Sequence, residues 1–171
     1  MEEQPDDARD AARWQAVEEA IELLREERAD EAVPMLRALL EGDPGNVYGH
    51  YFLGTALASE GRHGPALAAF LEAEKRAPGY LGAVVAKGWC LHELERFAEA
   101  ARVGLRALEI RPEDPDALYL LGVTYAEMGD RRQAIAHLER FIATRPPVEA
   151  RHDAEALLAT LRGQARPLEP V

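Results

Sequence analysis

Cys90 and His92 come nearest to a catalytic pair in this chain, and they do not make one. Residues two apart on a helix point in different directions, so the imidazole cannot serve the thiol as a base. Cys90 reads instead as a small packed residue. It is the single cysteine, so no intrachain disulfide can form, which suits a reducing compartment. The other histidines, His50, His63, His137 and His152, are scattered, and no pair has zinc-ligand spacing. His50 stands where a large half-buried side chain belongs, and His63 falls in a turn. Glu93 and Glu95 read as solvated helix ends, and Glu22–Arg25 as one of many surface ion pairs. Gly61 and Gly64 follow a helix rather than a strand and precede no Lys-Ser pair, so they form no phosphate loop. The chain is expected to be no enzyme and to need no metal or cofactor.

The composition narrows the partners. The 171 residues carry a formal charge of −11, which disfavours binding through nucleic-acid phosphates or anionic lipid. It favours basic or apolar partners. The start, Met1-Glu2-Glu3-Gln4-Pro5, lacks the cationic and apolar stretches of a secretory signal. No run approaches the roughly 18 apolar residues of a membrane helix. A cytoplasmic protein without membrane insertion is expected. Aromatic residues make up 6%, and alanine, leucine, glutamate and arginine dominate, a mixture that favours helix over sheet.

The elements that would position any site recur at one interval. Pro44, Pro78, Pro112 and Pro146 are each 34 residues apart, as are Gly54, Gly88 and Gly122, and Ala32, Ala66, Ala100 and Ala134. A shared period of this length marks a repeat architecture. The prolines punctuate: Asn46 can cap a helix after Pro44-Gly45, and Asp114 can cap one with Pro115 in its first turn. Each interval holds two helices. Their internal connections fall near 27–30, 60–64, 95–96 and 129–130. Leu118, Leu121, Val123 and Tyr125, then Ile135, Leu138 and Phe141, show helical spacing. Asp30 as an N-cap would place Pro34 in a first turn, where its missing amide hydrogen does no harm. The mid-helix glycines each cost about 1 kcal/mol against alanine, so their repetition implies a geometric need. The simplest is close helix approach, each glycine facing Ala66, Ala100 or Ala134.

His50, Leu53, Gly54, Leu57, Ala66, Phe70, Ala73 and Pro78 form a pattern that resembles the tetratricopeptide repeat. So do Leu118, Leu121, Gly122, Tyr125, Ala134, Leu138, Phe141 and Pro146. Val84, Lys87, Gly88, Leu91, Ala100, Gly104, Ala107 and Pro112 follow it more loosely. The first interval keeps Leu23, Ala32, Leu36, Leu39 and Pro44 but has Glu19-Ala20 where Leu-Gly would stand. The resemblance implies an all-α, right-handed α-solenoid of four tandem helix–turn–helix repeats, about 13–46, 47–80, 81–114 and 115–148. Residues 148–163 add an amphipathic capping helix, with Ala150, Ala154, Leu157, Leu158 and Leu161 on its apolar face. One domain over 9–163 is expected, between a disordered acidic segment (1–8) and a mobile tail (164–171).

In such repeats the first helices line a concave surface. The resemblance places Trp14, Val17, Ile21 and Leu24 there from the first repeat, and Tyr48, Tyr51, Thr55 and Ala58 from the second. Gly82, Val85, Trp89 and His92 follow, then Asp116, Tyr119, Val123 and Ala126. A surface rich in tryptophan and tyrosine is typical of binding hot spots and suits a peptide with apolar anchors. The same residues, Trp14 and Ile21 above all, could instead bury between repeats or in a dimer. Relatives that clamp the C-terminal carboxylate of chaperones use Lys, Arg and Asn. The matching positions here carry Val17, Ile21, Tyr51, Phe52, Thr55 and Val85, so no such clamp is expected. The function implied is a protein-interaction module or adaptor, its partner another protein or peptide segment. A secretion chaperone holding an apolar translocator segment and a self-assembling homo-oligomeric scaffold are the alternatives.

Overall fold

The structure is a computed structural model that describes residues 5–163, and within them it is all-α. The helices are α1 (Pro5–Gln15), α2 (Glu18–Arg25), α3 (Ala29–Gly42), α4 (Val47–Ser59), α5 (His63–Arg76), α6 (Leu81–Glu93), α7 (Phe97–Ile110), α8 (Pro115–Glu127), α9 (Arg131–Ala143) and α10 (Val148–Leu161). The expected disorder of residues 1–4 and mobility of 164–171 lie outside the described residues. Residues 5–8, expected to be disordered, begin α1.

Periodicity in the sequence becomes periodicity in the backbone. Helices α4, α6 and α8 start at Val47, Leu81 and Pro115, one 34-residue step apart. The joint inside each pair repeats too. Glu27, Gly61, Glu95, Gly129 and Gly163 all have positive φ, between 58° and 75°, and stand at the same interval. At the first joint the Arg28 amide donates to the Leu23 carbonyl at 2.8 Å, and Arg62 and Asp130 repeat that bond to Leu57 and Tyr125. This is the left-handed helix stop that lets the chain reverse into the second helix. Asn46, Asp114 and Asp130 accept hydrogen bonds from the amides of Gly49, Ala117 and Gln133 at 3.0–3.1 Å, capping α4, α8 and α9.

The chain divides into two compact units, one up to Leu94 and the other from Glu95. In the first, α2 to α6 pack each on the next, and α1 lies against α4. Its core holds Val17, Leu23, Leu36, Leu57, Ala66, Phe70 and Cys90. In the second, α7 to α10 pack in order around Leu118, Leu138, Phe141, Ala154 and Leu158. Helix α10 buries Ala154 and Leu158 but leaves Arg151, His152, Glu155 and Ala156 exposed. One face covers α9 and the other is solvated, which is the division a capping helix needs.

Three local expectations need correction. The first repeat does not open with one helix: a turn at Ala16–Val17 separates α1 from α2. Helix α3 starts at Ala29 with Arg28 at its N-cap, which puts Pro34 inside the helix rather than in its first turn. The only intrahelical bond this removes is to the carbonyl of Asp30, an exposed residue whose carbonyl can turn to water. Finally, Gly54 and Gly122 make room for large side chains one turn beyond the expected alanines. A Cβ on Gly54 would lie 2.6 Å from the Phe70 ring, and one on Gly122 would lie 2.6 Å from Leu138 Cδ2. The alanines serve elsewhere: Ala32, Ala66, Ala100 and Ala134 are all 0% exposed.

Candidate functional site

In the first unit the aromatic side chains form a connected row. Trp14 meets Tyr48 edge-on at 5.1 Å between ring centroids and Phe52 at 6.0 Å. Tyr48 meets Tyr80 at 6.2 Å, and Tyr80 meets Tyr51 at 5.1 Å. Tyr51 then touches Phe52 at 5.0 Å and Phe70 at 5.8 Å. Edge-to-face packing of this kind fixes ring orientation beyond what burial alone does. Helix α1 supplies Trp14 and is itself pinned by polar contacts. Arg13 donates twice to the Asp43 carboxylate at 2.7 and 2.9 Å, Asn46 donates to the Arg13 carbonyl at 3.0 Å, and the Tyr48 hydroxyl donates to Asp10 at 2.8 Å.

The residues expected on the inner surface fare differently. Trp14 is 43% exposed, whereas Val17 is fully buried and Val85 is 6% exposed. Val17 and Val85 therefore serve packing and offer no side chain to a ligand. Val17 stands at the N-cap of α2 and belongs to the first unit's core. Ile21, Tyr48, Tyr51, Thr55, Trp89 and His92 are half-buried in the first unit. Thr55 donates to the Tyr51 carbonyl at 3.1 Å, and Trp89 meets His92 at 5.7 Å. Tyr119 and Val123 are half-buried on α8 of the second unit, with Tyr119 against Phe141 at 4.9 Å. Trp14 and Ile21 line one cavity with Glu18, Glu19, Glu22 and Arg25.

Tyr80 joins this row from a position outside the helix faces. It occupies the N-cap position of α6, where Asn46 and Asp114 stand in the neighbouring repeats, and its side chain makes no capping bond. A capping side chain is worth about 1 kcal/mol. The column thus gives up a cap at this one place and gains a ring. Burial among Tyr51 and Tyr48 pushes the Tyr80 phenol up to about 12, so its hydroxyl stays a donor at any ordinary pH.

Burial pushes the Cys90 thiol up to about 11, which leaves it protonated and unreactive. Among the described residues no group of three His, Cys, Asp or Glu could hold a metal ion. None of the described helices is long and apolar enough to cross a membrane.

His137 carries a consequence for pH. It is 7% exposed, stacks on Tyr125 at 5.6 Å and finds no hydrogen-bond partner for Nδ1. Burial, with Arg140 adding to it, holds its pKa below the usual value, and burial does the same to His50. Below an unfolded pKa of about 6.5 the unfolded chain takes up protons that the folded chain refuses, so stability falls as pH drops. Urea titrations between pH 7 and 5 should show this slope, and His137→Gln should flatten part of it. An unchanged slope in that variant would show that His137 titrates equally in both states.

Models of the tetratricopeptide repeat family match residues 17–80, 90–129 and 116–147. The chain belongs to that family. The Pseudomonas aeruginosa protein pilF has a similar structure, with TM-score 0.77 and 22% identity over 92% of this chain and 70% of that one. TTC0263, a thermophilic TPR protein in Thermus thermophilus, gives 0.73 and 22% over 89% and 84%. The first TPR of Spaghetti (RPAP3), bound to the HSP90 peptide SRMEEVD, gives 0.65 and 19% over 68% and 93%. At these identities the likeness establishes the fold. No curated protein matches the sequence.

Proposed function

We propose that this protein is a non-catalytic adaptor that holds a segment of another protein against the aromatic face of its first unit. What supports the reading is the row Trp14–Tyr48–Tyr80–Tyr51, and within it Tyr80 above all. A helix cap is given up there for a ring that is not fully buried. Half-buried tyrosines and an exposed tryptophan provide large rigid contact area at small entropic cost. Tyr119 and Val123 give α8 of the second unit a smaller face of the same kind. A cytoplasmic location fits the single buried Cys90.

The Spaghetti neighbour holds an acidic peptide. Here Val17, Ile21, Tyr51, Phe52, Thr55 and Val85 occupy the positions where a carboxylate clamp needs cations, and the chain is strongly acidic. The partner segment is therefore apolar or basic. Affinity capture with quantitative mass spectrometry tests the proposal. The partner retained by the wild-type chain should be lost from Trp14→Ala and Trp89→Ala variants that melt normally. SRMEEVD should show no micromolar binding by titration calorimetry. Retention by both variants, or tight SRMEEVD binding, contradicts the reading.

A further inference from the structure

Side chains from either side of the Ala16–Val17 turn, Trp14 on α1 and Ile21, Glu18, Glu19, Glu22 and Arg25 on α2, line a cavity of about 350 Å³. Its apolar part is the indole of Trp14, 43% exposed and held on one side by the edges of Tyr48 and Phe52, together with half-buried Ile21. Its charged part is unbalanced. Arg25 is engaged by Glu22, while among the described residues no cation pairs with Glu18 or Glu19. Carboxylates in the first turn of α2 favour the helix dipole wherever they point. That accounts for Glu18 and Glu19 as α2 residues, but not for an open indole beside them.

The combination selects its occupant. An aromatic face attracts a cation, and a planar guanidinium can stack on it while donating paired hydrogen bonds to carboxylates. An acidic segment is repelled, and a purely apolar one would strip water from the carboxylates without replacing it. We propose that this cavity seats an arginine of a basic partner segment, its guanidinium on Trp14 and its donors toward Glu18 and Glu19. The proposal rests on the reading of the protein as an adaptor and specifies the chemistry of its partner. The net charge of −11 steers the same kind of partner toward it.

Calorimetric titration of the full chain tests this with three capped synthetic peptides, in which leucine alternates with arginine, lysine or glutamate. The arginine peptide should bind best and the glutamate peptide not at all. Glu18→Gln/Glu19→Gln and Trp14→Leu should each weaken the arginine peptide by about tenfold, as lost ion pairing and ring stacking at a partly exposed site imply. The equally neutralised control Glu127→Gln/Glu149→Gln, on exposed residues elsewhere, should change it by no more than about twofold. Equal loss in the two glutamine variants would reduce the effect to net charge and overturn the proposal. So would equal binding of the arginine and glutamate peptides. A captured partner that survives Glu18→Gln/Glu19→Gln but not Trp89→Ala would sink this inference while leaving the adaptor reading intact.

Discussion

Lys87→Leu should lower the melting temperature sharply, and adding Glu74→Met should restore most of it. Lys87 on α6 and Glu74 on α5 form an ion pair with side chains only 10% and 9% exposed. Lys87 stands in the column that Leu53 and Leu121 fill in the adjacent repeats, so leucine fits the space. Removing the ammonium takes from the buried Glu74 carboxylate the charge-assisted hydrogen bond that Lys87 donates to it. Breaking such a pair costs roughly 3–5 kcal/mol, on the order of 10 °C for a chain of this size. Replacing both partners by apolar groups is often neutral or stabilising, because neither charge then has to leave water. Differential scanning calorimetry of the two singles and the double gives the coupling directly. If Lys87→Leu melts like the wild type, the pair contributes nothing to the packing of α5 on α6.

The second large effect concerns Gly54 and Phe70. Phe70 is 2% exposed, and its ring fills the space a Cβ on Gly54 would need. Phe70→Ala should cost about 3–5 kcal/mol through the cavity it leaves. Gly54→Ala should also destabilise, by about 1–3 kcal/mol, although alanine is the better helix former by about 1 kcal/mol. The sign decides between two accounts of the glycine. If it were a relic of local sequence, alanine would stabilise α4. The combination Gly54→Ala/Phe70→Leu should recover little of the loss, since in the fourth repeat Leu138 Cδ2 and Cγ also stand 2.6 Å from where a Cβ on Gly122 would lie. Urea denaturation of the variants measures each value. A stabilised Gly54→Ala would show that the ring moves aside freely.

Much of the fold was legible because the columns that make it are chemically uniform. Proline, glycine and alanine recur at one interval, and each answers a backbone or close-packing need that few other residues meet. The parts that were not legible are those where residue type and structural role separate. Nothing at Ala16–Val17 is a helix breaker, so the turn that holds buried Val17 had no local sign. The joint column carries glycine at positions 61, 129 and 163 but glutamate at 27 and 95, which hid its shared left-handed conformation. Most of the candidate face could be placed from helix position alone. Tyr80 could not, because it sits at a cap, where sequence reasoning looks for Asn or Asp rather than for a ring. Val85 was placed by position as well, but its side chain is consumed by packing.

The evenly spaced joints make some rearrangements of the coding sequence silent and others severe. Duplicating or excising a block of 34 codons returns every left-handed residue to an equivalent slot, so the array can lengthen or shorten without retuning. Losing a single codon within a helix does the opposite. It rotates the remainder of that helix by about 100° and draws it in by about 1.5 Å, so its two halves can no longer both face their neighbours. Variation among homologues should therefore arrive in whole repeats or in the surface turns, and seldom as single-residue gaps inside α3 to α9.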